Sequence, residues 1–307
     1  MAFWNENWPV PLLPIMIAAI VVIVLLIALA VRHYKKKKTE AAAERAAEAE
    51  HPVTVLPVTG EAPCRIGKVH EQGARDYQED CFSVSPEEMY PTNGLLAVVS
   101  DGMGGLDNGD QVSQMAVSTM MNGFFTERGA PMEVLTSLLF AVNRSVNQLL
   151  GVHNIGHCGA TLIAGLLKEG KFYYIGIGDS RICLYRDGAL IQLNREHVYR
   201  NELLLRAING EGTLEEARTH PKAAGLTSFV GMGMIKHLDL PAEPVEVRAK
   251  DRLILMSDGV YNALTREEIS QALELSAEEG AEMLRETVSQ KAWPGQDNYT
   301  AIILECV

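Results

Sequence analysis

The sequence has few cysteines, five in 307 residues. Cys64, Cys81, Cys158, Cys183 and Cys306 are odd in number and far apart, with no C-x-x-C pair. That pattern excludes zinc spacing and a disulfide framework, and fits reduced thiols in a cytoplasmic domain. An excess of positive charge is also missing. The chain carries 27 Lys and Arg against 39 Asp and Glu, a net charge of −12. A nucleic-acid binder normally presents a basic face, so nucleic acid is excluded as a partner. Beyond residue 61 there is no internal repeat and no long polar linker. With 47 % apolar residues the composition is that of a globular protein, neither disordered nor fibrous.

One stretch lacks charge altogether. The 22 residues 10–31, VPLLPIMIAAIVVIVLLIALAV, contain no charged side chain. A helix of that length spans the roughly 30 Å hydrocarbon core of a bilayer. Pro9, Pro11 and Pro14 fall in or before its first turns, where a missing N–H costs least. Trp4 and Trp8 sit where an interfacial aromatic belt would lie. A buried core helix is rarely apolar on every face for this length. A cleavable leader is the stronger rival, because Ala28-Leu29-Ala30 looks like a cleavage site. Yet no Lys or Arg precedes the run, and Arg32 and Lys35–Lys38 follow it, which is the reverse of a leader's charge layout. The run therefore reads as a single-pass anchor in the cell membrane. Residues 1–9 form a short outside tail, and everything after Lys38 is cytoplasmic by the charge rule. Residues 1–38 carry five positive charges and one negative (Glu6), hence +4. The other 269 carry −16, since −12 minus +4 is −16.

Residues 32–60 are a basic juxtamembrane segment and an Ala/Glu-rich linker, whose part 39–50 favours a solvated helical stalk. Residues 61–307 make one domain. Short runs rich in Val, Ile and Leu predict strands at 64–70, 81–84, 95–100, 160–167, 172–177, 182–185, 245–247, 252–256 and 300–304. Asp187-Gly188 predicts a hairpin turn inside a meander over 171–193. Helices are predicted at 109–125, 131–150, 200–208, 214–220, 266–273 and 277–290. Three begin with capping-box pairs, Thr213 and Glu216, Thr265 and Glu268, Ser276 and Glu279. Helices arrive in pairs between groups of strands. The expected fold class is α/β (α+β), two packed antiparallel β-sheets covered by helices, preceded by one transmembrane helix.

Acids at strand ends beside glycine are the informative feature. Asp101 ends LLAVVSDGMGG, Asp179 ends FYYIGIGDSR and Asp258 ends RLILMSDG. Glu79 and Asp80 immediately precede a strand, and Asp297 lies just before the last one. A single such acid is most often a turn or cap residue. If the five segments converge, their carboxylates need a cation among them, and oxygen-only ligands suit Mg²⁺ or Mn²⁺. Gly102, following Asp101, leaves its carbonyl free to approach an ion. Arg75, four residues before Glu79, has the geometry to hold a phosphate or carboxylate in bidentate fashion; alone it reads as a surface arginine.

Together these motifs resemble the metal-dependent protein Ser/Thr phosphatases of type 2C, and bacterial members in particular. The ordered set runs Gly73-Ala74-Arg75, Gln78-Glu79-Asp80, Asp101-Gly102-Met103-Gly104-Gly105, Gly159-Ala160-Thr161 and Gly178-Asp179-Ser180-Arg181. It continues with Glu196-His197, Glu215-Glu216-Ala217, His220-Pro221, Leu226-Thr227 with Gly231, Ser257-Asp258-Gly259 and Asp297-Asn298. The resemblance implies a sandwich of two antiparallel sheets flanked by helix pairs, with the site at one edge. It implies two Mn²⁺ or Mg²⁺ ions bridged by Asp101, the first completed by Asp258 and Asp297, the second bound by Glu79 and the Gly102 carbonyl. Asp179 with Asp258 serves a third, weaker site. Asp80 holds water behind the metals, Arg75 binds the substrate phosphate, and Asn298 orients the last loop. Residues 194–228 form a flap beside the cleft.

The activity implied is hydrolysis of phosphoserine and phosphothreonine in proteins, the products of a bacterial Ser/Thr kinase. A water activated by the two metals attacks phosphorus directly, without a phosphoenzyme. Departures from the family pattern are Gln78 for Asn, Ala160 for Thr, Glu196 for Asp, and Ser228 for an arginine. Animal and plant members often have a histidine where this chain has Met103, so no side chain is assigned to protonate the leaving oxygen. A binding module of the same fold, inactive toward phosphoproteins, is the alternative; such a module typically lacks one of the metal acids, and all are present here. A cysteine-based phosphatase is a third reading, from His157-Cys158, but its His-Cys-x5-Arg loop would need arginine where Ala164 stands.

Overall fold

Leu95, Ala97 and Val99 pack toward one core, and Leu96 and Val98 toward another. This strand is buried on both faces, which is why its sequence is an unbroken apolar run rather than an alternation. The computed structural model describes residues 64–103 and 109–307. The anchor at 10–31 and the stalk at 39–50 lie outside the described residues, as do Gly104 and Gly105. Among the described residues, no helix is long and apolar enough to cross a membrane.

Eleven strands are found among the described residues. They are β1 (Cys64–Glu71), β2 (Asp80–Val84), β3 (Leu95–Met103), β4 (Gly159–Ala160), β5 (Leu162–Lys168) and β6 (Lys171–Ile177). The rest are β7 (Arg181–Arg186), β8 (Ala189–Gln192), β9 (Val245–Glu246), β10 (Arg252–Met256) and β11 (Tyr299–Cys306). They form two sheets, ordered β1-β11-β10-β7-β8 and β2-β3-β5-β6-β9, with β4 alongside β3. Every strand pairing in them is antiparallel. The helices are α1 (Tyr90–Asn93), α2 (Gly109–Thr126), α3 (Pro131–Asn154), α4 (Tyr199–Ile208) and α5 (Leu214–Thr219), then α6 (Asp258–Ala263), α7 (Arg266–Ala272) and α8 (Ala277–Lys291).

Three apolar cores define four layers. Leu95, Ile163, Phe172, Leu255 and Ile302 fill the space between the sheets. Val112, Met120, Leu135 and Leu139 seal α2 and α3 onto one outer face, and Ile269, Ala281 and Leu284 seal α7 and α8 onto the other. The expected sandwich with paired helices is present.

Differences from the sequence reading are local. Strand 160–167 is broken at Thr161, whose N–H donates to the Asp101 carbonyl instead of continuing one ladder. Asp258 does not end a strand: β10 stops at Met256, and Asp258 is the first residue of α6, a helix concealed by its Gly and Asn content. Two capping boxes are complete, at Thr265 and Ser276, whereas Thr213 only accepts from Glu216 N–H. The hairpin turn is as expected, with Asp187 and Gly188 both at positive φ, 52° and 78°. All five cysteines are free thiols, and Cys64 and Cys306 face each other across the β1–β11 ladder.

Candidate functional site

Register brings the acids together. Asp80 opens β2 and Asp101 sits near the end of β3, and the two are direct partners in the antiparallel ladder. Asp179 follows β6, Asp258 opens α6, and Asp297 precedes β11. Glu79, Asp101, Asp179, Asp258 and Asp297 line one cleft of about 310 Å³, with Arg75, Gly102, Met103 and Asn298. Asp80 is buried. Its Oδ2 accepts from the Ser257 hydroxyl at 2.7 Å, while its Oδ1 has no hydrogen-bond partner.

Backbone contacts explain why the segments meet here. Gly102 N–H donates to the Glu79 carbonyl at 3.0 Å. A Cβ on Gly102 would lie 2.2 Å from the Gly109 carbonyl oxygen and 2.7 Å from that of Glu79, so only glycine lets β3, the pre-β2 segment and α2 converge. This is a packing reason, different from the free-carbonyl reason inferred from sequence. Gly73 has φ +64°, and a Cβ there would meet the Asp297 carbonyl oxygen at 2.3 Å.

Asn298 ties the arginine loop down. Its Oδ1 accepts from Glu79 N–H at 2.8 Å, and its Nδ2 donates to the carbonyls of Gln72 (2.7 Å) and Tyr77 (2.9 Å). It therefore orients the loop 72–79, whereas the resemblance implied a role in the last loop. Arg75 stands exposed on the rim, and its Nη2 donates to Asp297 Oδ2 at 2.6 Å. Of the two partners its fork fits, phosphate or carboxylate, Arg75 here holds the carboxylate.

The electrostatics are those of crowded acids. Burial pushes Asp101 well above the usual carboxylate range, reinforced by Asp80, Asp258, Asp179 and Asp297. Burial, then Asp258, takes Asp179 up to about 7. Burial takes Asp80 up to about 6, against the opposing hydrogen bond from Ser257. Asp258 is raised by burial and then by Asp297; Glu79 is raised by burial although Arg75 pulls it down. A divalent cation among these carboxylates would relieve the same repulsion. The oxygen-only donor set and the partnerless Asp80 Oδ1 fit Mg²⁺ or Mn²⁺ in kind. In the conformation described, the side chains are spread around the cleft: Asp297 engages Arg75 and Asp258 Oδ2 accepts from Asn262. No three His, Cys, Asp or Glu among the described residues are gathered closely enough to hold one ion.

Several supporting residues carried no assigned role in the sequence reading. Thr161 Oγ1 accepts from Asp101 N–H at 3.0 Å and pairs with Ser180 Oγ at 2.8 Å. Ser257 bridges Asp80 and Thr300 N–H. Tyr261 donates its hydroxyl to the Asp179 carbonyl at 3.0 Å. Thr161 and Ser257 stand inside the quoted motifs, whereas Tyr261 had no local signal. Cys158 is buried in the core under α3 and is absent from the cleft, so the cysteine-based reading fails.

Residues 67–292 match the profile of a family described as protein phosphatase 2C. The chain belongs to that family. The enzyme class read from the motifs, a protein-serine/threonine phosphatase, is borne out, and dependence on Mn²⁺ or Mg²⁺ is general to the family. A serine/threonine phosphatase of Listeria monocytogenes is 27 % identical over 228 residues, 69 % of this chain and 85 % of that one. The crystal structure of the Mycobacterium tuberculosis serine/threonine phosphatase PstP/Ppp is 28 % identical with a TM-score of 0.65, covering 79 % of this chain and 98 % of that one. A catalytic domain of PstP solved with two manganese ions is 27 % identical with a TM-score of 0.62, covering 79 % and 97 %. The protein phosphatase 2C fold thus accounts for the two antiparallel sheets and their outer helices.

Proposed function

We propose that this chain is a membrane-anchored, metal-dependent phosphatase that hydrolyses phosphoserine and phosphothreonine in proteins phosphorylated by a bacterial Ser/Thr kinase. The observation that carries the reading is the cleft itself: five acids from five chain segments facing one space, with an arginine on its rim. Asp101, Asp258, Asp297, Glu79 and the Gly102 carbonyl would hold two Mn²⁺ or Mg²⁺ ions, and Asp179 with Asp258 would hold a third more weakly. Bound there, the cations supply Lewis acidity that activates a water and neutralises phosphoryl charge.

The chain's own groups do the rest. Arg75 exchanges Asp297 for the substrate phosphate, a swap its exposed position allows. That exchange also frees Asp297. Asp80, held by Ser257, offers Oδ1 as acceptor to a water beside Asp101 and orients it. Thr161 and Asn298 hold the Asp101 and Glu79 backbones so that both carboxylates keep their aim. No cysteine or serine nucleophile is needed, so attack on phosphorus is direct. The intact acid set also weighs against an inactive binding module.

Acid-quenched single turnover with a ³²P-labelled phosphothreonine peptide tests this. Label passes to free phosphate and none is trapped on the protein. Labelled protein would overturn direct attack by water.

A further inference from the structure

Two adjacent residues, Glu196 and His197, both reach the Asp179 turn. His197 N–H donates to the Gly178 carbonyl at 2.8 Å, and Gly178 N–H donates to His197 Nδ1 at 3.2 Å. Its neighbour Glu196 reaches the same turn by a longer route. Glu196 Oε1 accepts from Arg181 Nε at 2.6 Å. The Arg181 guanidinium lies over the Tyr261 ring, 3.5 Å from its centre. The Tyr261 hydroxyl then donates to the Asp179 carbonyl at 3.0 Å. Tyr261 belongs to α6, the same short helix whose first residue is Asp258. One rigid turn of helix therefore carries one acid and fixes the backbone of the other.

From this geometry we infer that Tyr261 is a positioning residue for Asp179, and that the Glu196–Arg181–Tyr261 relay sets the affinity of the weaker cation site at Asp179 and Asp258. The inference rests on the metal reading proposed above. The relay is part-buried at each step, with Arg181 and Glu196 side chains 29 % and 18 % exposed, so neither partner is loosely held. A guanidinium stacked on a phenol ring and pinned by a carboxylate leaves the ring little freedom. The hydroxyl is thereby aimed, and the Asp179 peptide plane with it. The Asp179 side chain swings from that plane, so its distance to Asp258 depends on the tyrosine. Removing a group that orients a metal ligand from behind typically weakens the metal about 10-fold or more.

Tyr261→Phe separates this role from packing, because the ring stays beneath Arg181 and only the hydroxyl is lost. Calorimetric titration of the full chain with Mn²⁺ reads the sites directly. The weakest binding phase of Tyr261→Phe is expected to be about 10-fold weaker, with the tighter phases unchanged and the metal-free melting temperature lowered by no more than the roughly 2–4 °C that one hydrogen bond is worth. Glu196→Gln, which replaces the charged acceptor of Arg181 with a weaker neutral one, is expected to shift the same phase in the same direction. The double variant is expected to add less than the sum of the two, as coupled residues do. A Mn²⁺-binding wild type whose isotherm Tyr261→Phe reproduces overturns this inference alone. Equal weakening of every phase, or a large fall in the metal-free melting temperature with unchanged binding, also overturns it, since either marks a merely structural residue. A wild type that binds no Mn²⁺ overturns it together with the proposed function.

Discussion

Asp80 and Asp101 face each other as direct partners across the β2–β3 ladder. Two acids opposed in one ladder repel, and this sheet edge accepts that cost where Asp179, Asp258 and Asp297 add to it. The fold supplies the compensation only partly, through Ser257 to Asp80 and Thr161 to the Asp101 backbone. The remaining repulsion is the physical basis for the proposed cation binding, and it has consequences for stability.

The metal-free protein is expected to lose stability as pH rises. Asp80 and Asp179 ionise in the folded state at about 6 and about 7, against an ordinary value of 3.8. Between those values the folded state holds protons that the unfolded chain has released, so unfolding becomes easier with rising pH. The melting temperature in EDTA should fall from pH 5 to pH 8. Added Mn²⁺ should raise it most at the alkaline end. A melting temperature in EDTA that climbs over this range would contradict the crowding described.

Asn298 predicts a stability effect of a different kind. Asn298→Ala deletes three hydrogen bonds to the loop 72–79. At a net 0.5–1.5 kcal/mol each, the loss is about 1.5–4.5 kcal/mol, readable by urea unfolding. Asn298→Asp keeps the acceptor for Glu79 N–H but turns both donors into acceptors facing carbonyls. It should be no better than alanine; a near-neutral aspartate variant would mean the loop is held otherwise.

Arg75→Ala should act mainly on substrate binding. The phosphate contact goes while the acids remain, so KM for a phosphopeptide is expected to rise about 10-fold, one lost charge-assisted hydrogen bond, with kcat changed far less. Asp297 also loses its ion-pair partner. Mn²⁺ should therefore bind Arg75→Ala at least as well as wild type. An unchanged KM would place Arg75 away from the phosphate.

Much of this is legible in the sequence because each acid lies within two residues of a strand terminus, and chain order preserves the motifs. The sandwich was legible because its helices come in pairs and β3 is apolar on both faces. What escaped was nonlocal or masked by composition. Helix α6 contains Gly259 and Asn262, and its helical state depends on packing above Asn298 and Tyr299 rather than on propensity. The break at Thr161 follows from a hydrogen bond to Asp101, sixty residues away in the chain. Tyr261 reads as an ordinary core aromatic until Arg181 and Asp179 are placed beside it. The opposition of Cys64 and Cys306 spans nearly the whole domain and has no local trace.

The anchor proposal concerns residues 10–31 and is independent of the cleft. The full chain should stay with the membrane fraction after alkaline carbonate washing, and a chain lacking residues 1–38 should not. Added protease should leave the catalytic domain intact in spheroplasts and degrade it in inside-out vesicles. Degradation in intact spheroplasts would reverse the orientation.

The central claim is that the carboxylate cleft, and no cysteine, hydrolyses the phosphoester. Phosphate release from a phosphothreonine peptide by the full chain, with Mn²⁺ and with EDTA, measures it. Release should require the metal, fall about 100-fold or more in Asp101→Asn, and persist in Cys158→Ser, because several kcal/mol of charge stabilisation pass through Asp101 and none through the buried thiol. Release in EDTA that survives Asp101→Asn but disappears in Cys158→Ser would contradict the account.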